Sequence, residues 1–414
     1  MYDPYSEFKK STLSNGLDVY LAYWDRPWIG VEIIVHSGGR EDPVDLPGLA
    51  HFVEHVVSEN IPGKTHNEAK NLIESCGGRV NFGSTDFIST CYKFAVPADI
   101  EIFREVLNMF GSMLLQGKMD LNIERERKVI LQEFNGKYPI RENLDWEMDI
   151  QKSLFKGHRL ETWNSAIGRP EGFMAITKKE LQDFYDRYYV PKNISLVVLG
   201  GLQTSQILSE LENSSFGIRK EGSRNPIPEI FKPISVPKTV IVKFSDISKF
   251  KIDQTTYKAS WAFPADFSLQ ALHVFSSILN AILFKEIREK EGLSYTPRTS
   301  FTTYQNVRAY KIHGNVNSAA SSYIDELFRK CIEKIPLCFD LFEQKLKSIK
   351  LGYLMVDLSG RELINGSASD IASKHKIISL KEILDDLNTV TFEQMIEAKD
   401  LLSPERQCTF ILNP

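Results

Sequence analysis

His51, Glu54 and His55 fall within five consecutive residues, His-Phe-Val-Glu-His. On a helix, residues four apart lie one above the other on the same face, so two imidazoles at this spacing converge on one ion. Neutral imidazole suits zinc, and a catalytic zinc takes three protein ligands and a water. Glu54 lies beside the pair, placed to take a proton from a water whose pKa zinc lowers toward about 7. The order H-x-x-E-H inverts the more familiar H-E-x-x-H, and both are zinc-peptidase signatures. The competing reading is a pair of satisfied core histidines on a buried helix. It is weak here, because the chain has only eight histidines and this pattern arises by chance in roughly one such chain in a hundred.

A third ligand is needed, and the segment from Glu124 to Glu133 offers Glu124, Glu126 and Glu133. Glu126 and Glu133 are two turns apart and share a helix face. One can bind the metal while the other holds a ligand or the water from behind. Read alone, the run is a solvated charged face.

The elements that must position these residues follow from pattern. Leu17–Ala22 and Gly30–Val35 are β-branched and aromatic runs bounded by Asn-Gly and Gly-Gly, and read as strands. Pro47-Gly48 opens a helix through Val57, and a second helix from Asn67 to Cys76 stops at Gly77-Gly78. Residues 79–96 read as two strands. Phe103, Val106, Leu107, Phe110 and Leu114 have helical spacing, and Asp120–Phe134 is a further helix. Thr177-x-x-Glu180 is a capping box for a helix to Tyr189, followed by Pro191 and an apolar strand from Ile194 to Leu199. The same order recurs near the C-terminus, with Val390-Thr391, a helix, Pro404 and a strand from Cys408 to Leu412. Residues 214–237 are rich in Ser, Pro, Gly and charge and read as a linker. The expectation is an α+β chain of two similar domains, 1–213 and 238–414, each a largely antiparallel sheet packed with helices.

A length of 414 residues favours two domains, and 42% hydrophobic with 25% charged residues allows each a full core. A net charge of −4 gives no basic face for nucleic acid. No run approaches the roughly 18 apolar residues of a membrane span, and the N-terminus lacks a signal-peptide pattern. The expected location is cytoplasmic. Five cysteines at irregular spacing match no zinc finger or redox pair. Cys331 and Cys338 are expected on one amphipathic helix, as core or surface thiols.

Together, H-x-x-E-H and the later E-R-x-V-I-L-x-E resemble the pitrilysin-type (M16) metallopeptidases, the family of insulin-degrading enzyme and the mitochondrial processing peptidase. The interval from His55 to Glu133 is similar to that family's, as are Gly38-Gly39-Arg40-Glu41, Gly48-Leu49-Ala50 and Tyr188-Tyr189-x-Pro191-x-Asn193. The length resembles its single-module members, half of the family's clamshell. The resemblance implies one zinc ion per chain, Glu133 as third ligand and Glu126 as supporting acid. It implies Asn81 at the start of a substrate-binding strand, and Arg288 and Tyr295 as a pair contacting substrate near the scissile bond. The chain departs from the family after His55, where Val-Val-Ser-Glu-Asn replaces a Met and a glycine turn, and at Phe82, where Ala is usual.

The expected activity is therefore that of a zinc metalloendopeptidase, cutting short unstructured peptides in an enclosed chamber. The peptide would add as a strand to the sheet edge near Asn81. The alternative is a non-catalytic or obligate-heteromer subunit of a processing-peptidase-like complex, which loss of metal ligands would mark. With half the domains of the long members, the chain is expected to form a homodimer, Arg288 and Tyr295 of one copy completing the site of the other. A heterodimer with a related chain would serve the same geometry.

Overall fold

The structure is a computed structural model, and it describes residues 2–119, 122–139, 141–163, 165–243, 253–294, 296–355 and 358–414. It divides into two compact units. The first holds strands β1 (Lys9–Thr12), β2 (Asp18–Tyr23), β3 (Trp28–Val35), β4 (Arg79–Thr85), β5 (Thr90–Pro97) and β6 (Ile194–Gly200), in the order β1-β2-β6-β3-β5-β4. The second holds β7 (Lys238–Lys243), β8 (Gln254–Pro264), β9 (Arg298–Tyr304), β10 (Val307–Asn317) and β11 (Cys408–Asn413), in the order β7-β11-β8-β10-β9. Each sheet is antiparallel except for one parallel pair, β2 with β6 and β7 with β11. The expected α+β chain of two similar domains is therefore observed. Both halves of the sequence echo are present as well. Thr177 and Thr391 each form a capping box, with Glu180 and Gln394, and the helices they start lead to β6 and β11.

The units differ from the contiguous domains 1–213 and 238–414. Residues 138–164 belong to the second unit, and residues 357–380 to the first. Five helices of the first half are used below: α1 (Leu49–Ser58), α2 (His66–Ser75), α3 (Ile100–Leu115), α4 (Ile123–Lys137) and α5 (Arg141–Leu154). α5 packs on β7, β8 and β11. In return the Gly360–Lys374 helix covers β3 and β6, sealing Leu363, Ile364, Ala368 and Ile371 against Tyr20, Ile34 and Val197. β6 consequently reads as a nearly continuous apolar run rather than an alternating one, as a strand covered on both faces does, and β3 is buried on both faces with only Glu32, paired with Lys93, interrupting its apolar residues. A close approach makes this cover possible: a Cβ at Gly30 would lie 2.7 Å from Ile364 Cδ1. The linker crosses between units after Ile227. It is tied down by Asn225, which donates from its backbone N–H to Asn193 Oδ1 and from its side-chain amide to the His36 carbonyl, and by Phe231, which donates to the Asn306 carbonyl.

One local expectation changes. Cys331 lies in the last turn of the Ile324–Ile332 helix, while Cys338 lies beyond a separate turn at Ile335–Leu337. Pro336 cannot donate to a continuing helix, so the two thiols do not share one. No helix among the described residues is long and apolar enough to cross a membrane.

Candidate metal centre

α1 starts sharply. Gly48 adopts φ 99°, where a side chain would be strained and where a Cβ would lie 2.7 Å from the Ile167 carbonyl oxygen. The buried Asp42 carboxylate accepts from the Gly48 and Ala50 N–H groups, each at 2.7 Å. It satisfies two donors that a helix start leaves orphaned. The helix then buries Leu49, Phe52, Val53, Val56 and Val57, leaving His51, Glu54 and His55 on the face toward β4 and α4.

His51 Nε2 and His55 Nε2 lie 3.7 and 3.6 Å from Glu133 Oε2, and all three donor atoms fall within 4.8 Å of one another. Ligands at about 2.1 Å around a tetrahedral zinc are spaced by roughly 3.4 Å, and two histidines with one glutamate are a known catalytic zinc set. The donor set and its spacing fit the ion without rearrangement of the backbone. His55 Nδ1 lies 3.1 Å from Glu126 Oε2. That contact fixes the ring orientation and leaves Nε2 for a metal, as an outer carboxylate does in histidine–zinc sites. Glu126 Oε1 in turn accepts from Arg125 Nε at 2.9 Å, and Arg125 is also paired with Glu59, the residue that ends α1. Glu124, the remaining carboxylate of the run, points to solvent with its side chain 79% exposed.

The electrostatics of the cluster are those of groups held out of water. Burial pushes the Glu54 carboxyl up to about 7, against the pull of the His55 charge and a 2.8 Å hydrogen bond from Thr85 Oγ1. Burial would lower His55, but hydrogen bonds to Glu126 and Glu133 and the Glu54 charge outweigh it and raise the imidazole to about 9. Burial and the neighbouring His55 charge hold His51 below its usual range. The hydrogen bond to His55 holds Glu133 below the usual carboxylate range. Protonated His55 thus points Nδ1–H at Glu126 and Nε2–H at Glu133, and a metal ion must displace the Nε2 proton.

A cavity of about 1060 Å³ opens on this cluster, bounded by α1, α2, β4 and α4. β4 is the edge of its sheet, and Asn81 is exposed on it, accepting from the Gly83 N–H at 2.9 Å. The β4–β5 register shifts between Asn81 and Ser84. At this bulge Gly83 presses on the carboxyl of Glu54: a Cβ there would lie 2.6 Å from its Cδ and Cγ. Phe82 turns inward and stacks on Phe110, and the His66 ring of α2 also packs against it.

His51, Glu54, His55, Glu126, Glu133 and Asn81 are therefore gathered around one cavity in the first unit. Arg288 belongs to the second unit, in the π-helical segment Phe284–Lys290, its guanidinium 4.6 Å from the Phe284 ring centroid. Tyr295 lies outside the described residues. Asp42, Gly83, Thr85 and Arg125 were not anticipated from the sequence. Only Asp42, a helix-capping residue type ahead of Pro47-Gly48, carried a local signal.

Known proteins are similar to this chain in sequence and fold. Residues 26–159 match the family described as Insulinase (Peptidase family M16), and residues 175–340 match the one described as Peptidase M16 inactive domain. An uncharacterised zinc protease of Bacillus subtilis is 20% identical over 419 residues, covering 98% of both chains. One from Mycobacterium leprae is 24% identical over 292 residues, covering 69% of this chain and 62% of that protein. Among solved structures, a peptidase M16 inactive domain from Pseudomonas fluorescens superimposes with a TM-score of 0.82 at 17% identity over 98% of both chains. Pitrilysin gives 0.74 at 15% identity, over 98% of this chain and 45% of that one.

Proposed function

The chain belongs to peptidase family M16, the insulinase family, and from that premise we propose that it is a zinc-dependent endopeptidase for short unstructured peptides. The observation that carries the reading is the convergence of His51 Nε2, His55 Nε2 and Glu133 Oε2, with Glu54 in the same cavity. In this reading those three residues hold one zinc ion per chain. The bound ion supplies Lewis acidity for the scissile carbonyl and for the attacking water.

This chain's own residues do the rest. Glu54 takes the proton of the attacking water and returns it to the leaving amine. A carboxyl near neutrality serves both directions of transfer. Thr85 and the Gly83 backbone fix where that carboxyl points. Glu126 holds His55 in the orientation that presents Nε2. The β4 edge pairs with an extended substrate, with Asn81 at the start of the pairing, and main-chain hydrogen bonding of this kind demands an unfolded segment. Retention of every proposed ligand favours the enzyme over a non-catalytic subunit. The five unpaired thiols agree with a cytoplasmic location.

The chain spans about half of pitrilysin. The reading includes a two-fold dimer in which Arg288 and Tyr295 of one copy complete the site of the other. Mixing Glu54→Gln and Tyr295→Phe proteins, each impaired alone, should restore up to about half of the activity per dimer, because one site of each mixed dimer is intact. No recovery after subunit exchange would overturn the shared site. The peptidase reading is tested by mapping cut sites in a library of unstructured peptides by mass spectrometry. Peptides of a few tens of residues should be cut, and a stably folded protein left whole.

A further inference from the structure

The second unit repeats the layout around His51. β3, α1 and the β4–β5 hairpin correspond in order and pairing to β8, the Leu269–Leu283 helix and the β9–β10 hairpin. Each helix lies against the edge strand of its sheet, and each packs against a long later helix, α4 in the first unit and Phe339–Met355 in the second. In α1 the residues facing the cavity are His51, Glu54, His55 and Ser58. In the second unit His273, Ser276, Ser277 and Asn280, at the same intervals along the helix, line a cavity of about 500 Å³. That volume lies within the roughly 300–1,000 Å³ of small-ligand sites.

The chemistry of this second cavity has changed sign. Ser276 stands where α1 has Glu54, Ser277 where it has His55, and the later helix contributes Lys345 and Ile349 instead of glutamates. Among the described residues no carboxylate lines it, and a single imidazole cannot hold zinc. What remains is a set of donors. The Lys345 ammonium is half-buried and has no carboxylate partner among the described residues. Asn280 Oδ1 accepts from the Thr299 N–H at 2.7 Å, which leaves its NH₂ as the free end. Ser276 directs its proton to the Tyr310 hydroxyl at 3.3 Å and is not among the free donors, while the Ser277 hydroxyl and the His273 ring, packed edge-on to Phe301, complete the wall. An ammonium with neighbouring neutral donors and no competing acid selects a carboxylate, because charge-assisted hydrogen bonds are the strong ones.

We propose that the His273–Lys345 cavity of the second unit is a carboxylate-binding pocket for peptides, a remodelled counterpart of the metal cavity. The choice of peptide as the bearer rests on the peptidase reading above. The carboxylate has two sources, the peptide C-terminus and an acidic side chain.

Calorimetric titration of the full-length Glu54→Gln protein separates them without requiring cleavage, so an enzyme that cuts nothing would still leave this test standing. Three probes serve: N-acetyl-trialanine with a free C-terminus, its C-terminal amide, and the amide with glutamate at the central position. Binding of the first alone identifies a C-terminal carboxylate, and binding of the third alone an acidic side chain. Either should weaken at least tenfold in Lys345→Gln. It should weaken likewise in Asn280→Asp, an isostere that keeps the acceptor for Thr299 and adds a repelling charge. Equal binding of the neutral amide, no binding of any probe, or unchanged binding in both variants with native melting temperatures would overturn the proposal.

Discussion

In the first unit the helix on the sheet edge carries His51, Glu54 and His55; in the second the helix in that position carries His273, Ser276 and Ser277. The strand order around both is the same, β2-β6-β3-β5-β4 against β7-β11-β8-β10-β9. The Leu269–Leu283 helix is apolar along most of its length, buries ten of its residues and presents no carboxylate to its cavity. α1 is equally apolar on its core side but turns three ionisable groups toward the cavity, and the surroundings are adjusted to keep them there. Asp42 caps the helix, Glu126 orients His55, and the bulged edge strand presents a glycine to Glu54. The fold supplies a helix lying across a sheet edge in both units. Chemistry is added by a few side chains and by the neighbours that leave room for them.

The comparison can be broken at Gly83, where the largest effect is expected. Gly83→Ala places a methyl group against the Glu54 carboxyl and displaces it. The kcat should fall by roughly 10²–10⁴, the contribution of a positioned proton-transfer group, while zinc content holds. The thermal destabilisation caused by Gly83→Ala should disappear in a Glu54→Ala background, because the clash is then gone. An equal melting-temperature penalty in both backgrounds would mean that Gly83 serves the strand rather than the base.

The cost of holding Glu54 in the fold gives the next effect. Its carboxyl titrates near 7 in the folded protein against an ordinary value of 4.5. A raised carboxyl favours the fold while protonated, so that contribution is full below about pH 4.5 and lost as the pH rises through about 7. In zinc-free protein, Glu54→Gln should therefore match the wild type at acidic pH and exceed it by about 3 kcal/mol above pH 8. Denaturant unfolding curves across that range check it, and parallel pH profiles would contradict the burial assigned to Glu54.

Glu126 gives the smallest effect. Glu126→Gln keeps the shape but weakens the hold on His55, so zinc affinity measured by chelator competition should drop about 10–100-fold. Unchanged affinity would remove Glu126 from the site.

Much of this centre was legible because its key pair is local. His51 and His55 are a helical turn apart, and periodicity is enough to bring them together. Glu126 and Glu133 needed family resemblance, since nothing in a charged helix says which helix it faces. Gly83 and Thr85 were invisible because their meaning lies in a contact with Glu54 made across a strand bulge, and sequence does not reveal bulges. The exchange of α5 and the Gly360–Lys374 helix was hidden for a similar reason: an amphipathic pattern states that a face is buried, not which sheet buries it. Pro336 was readable and would have separated Cys331 from Cys338.

The central claim, that chemistry resides in the first unit at one metal centre, is tested most directly by metal analysis of purified variants. The wild type and Glu54→Gln should each carry about one zinc per chain, with Glu54→Gln inactive. The His51→Ala/His55→Ala double variant should carry almost none. Full zinc retention in that double variant, or peptidase activity surviving in Glu54→Gln, would contradict the account.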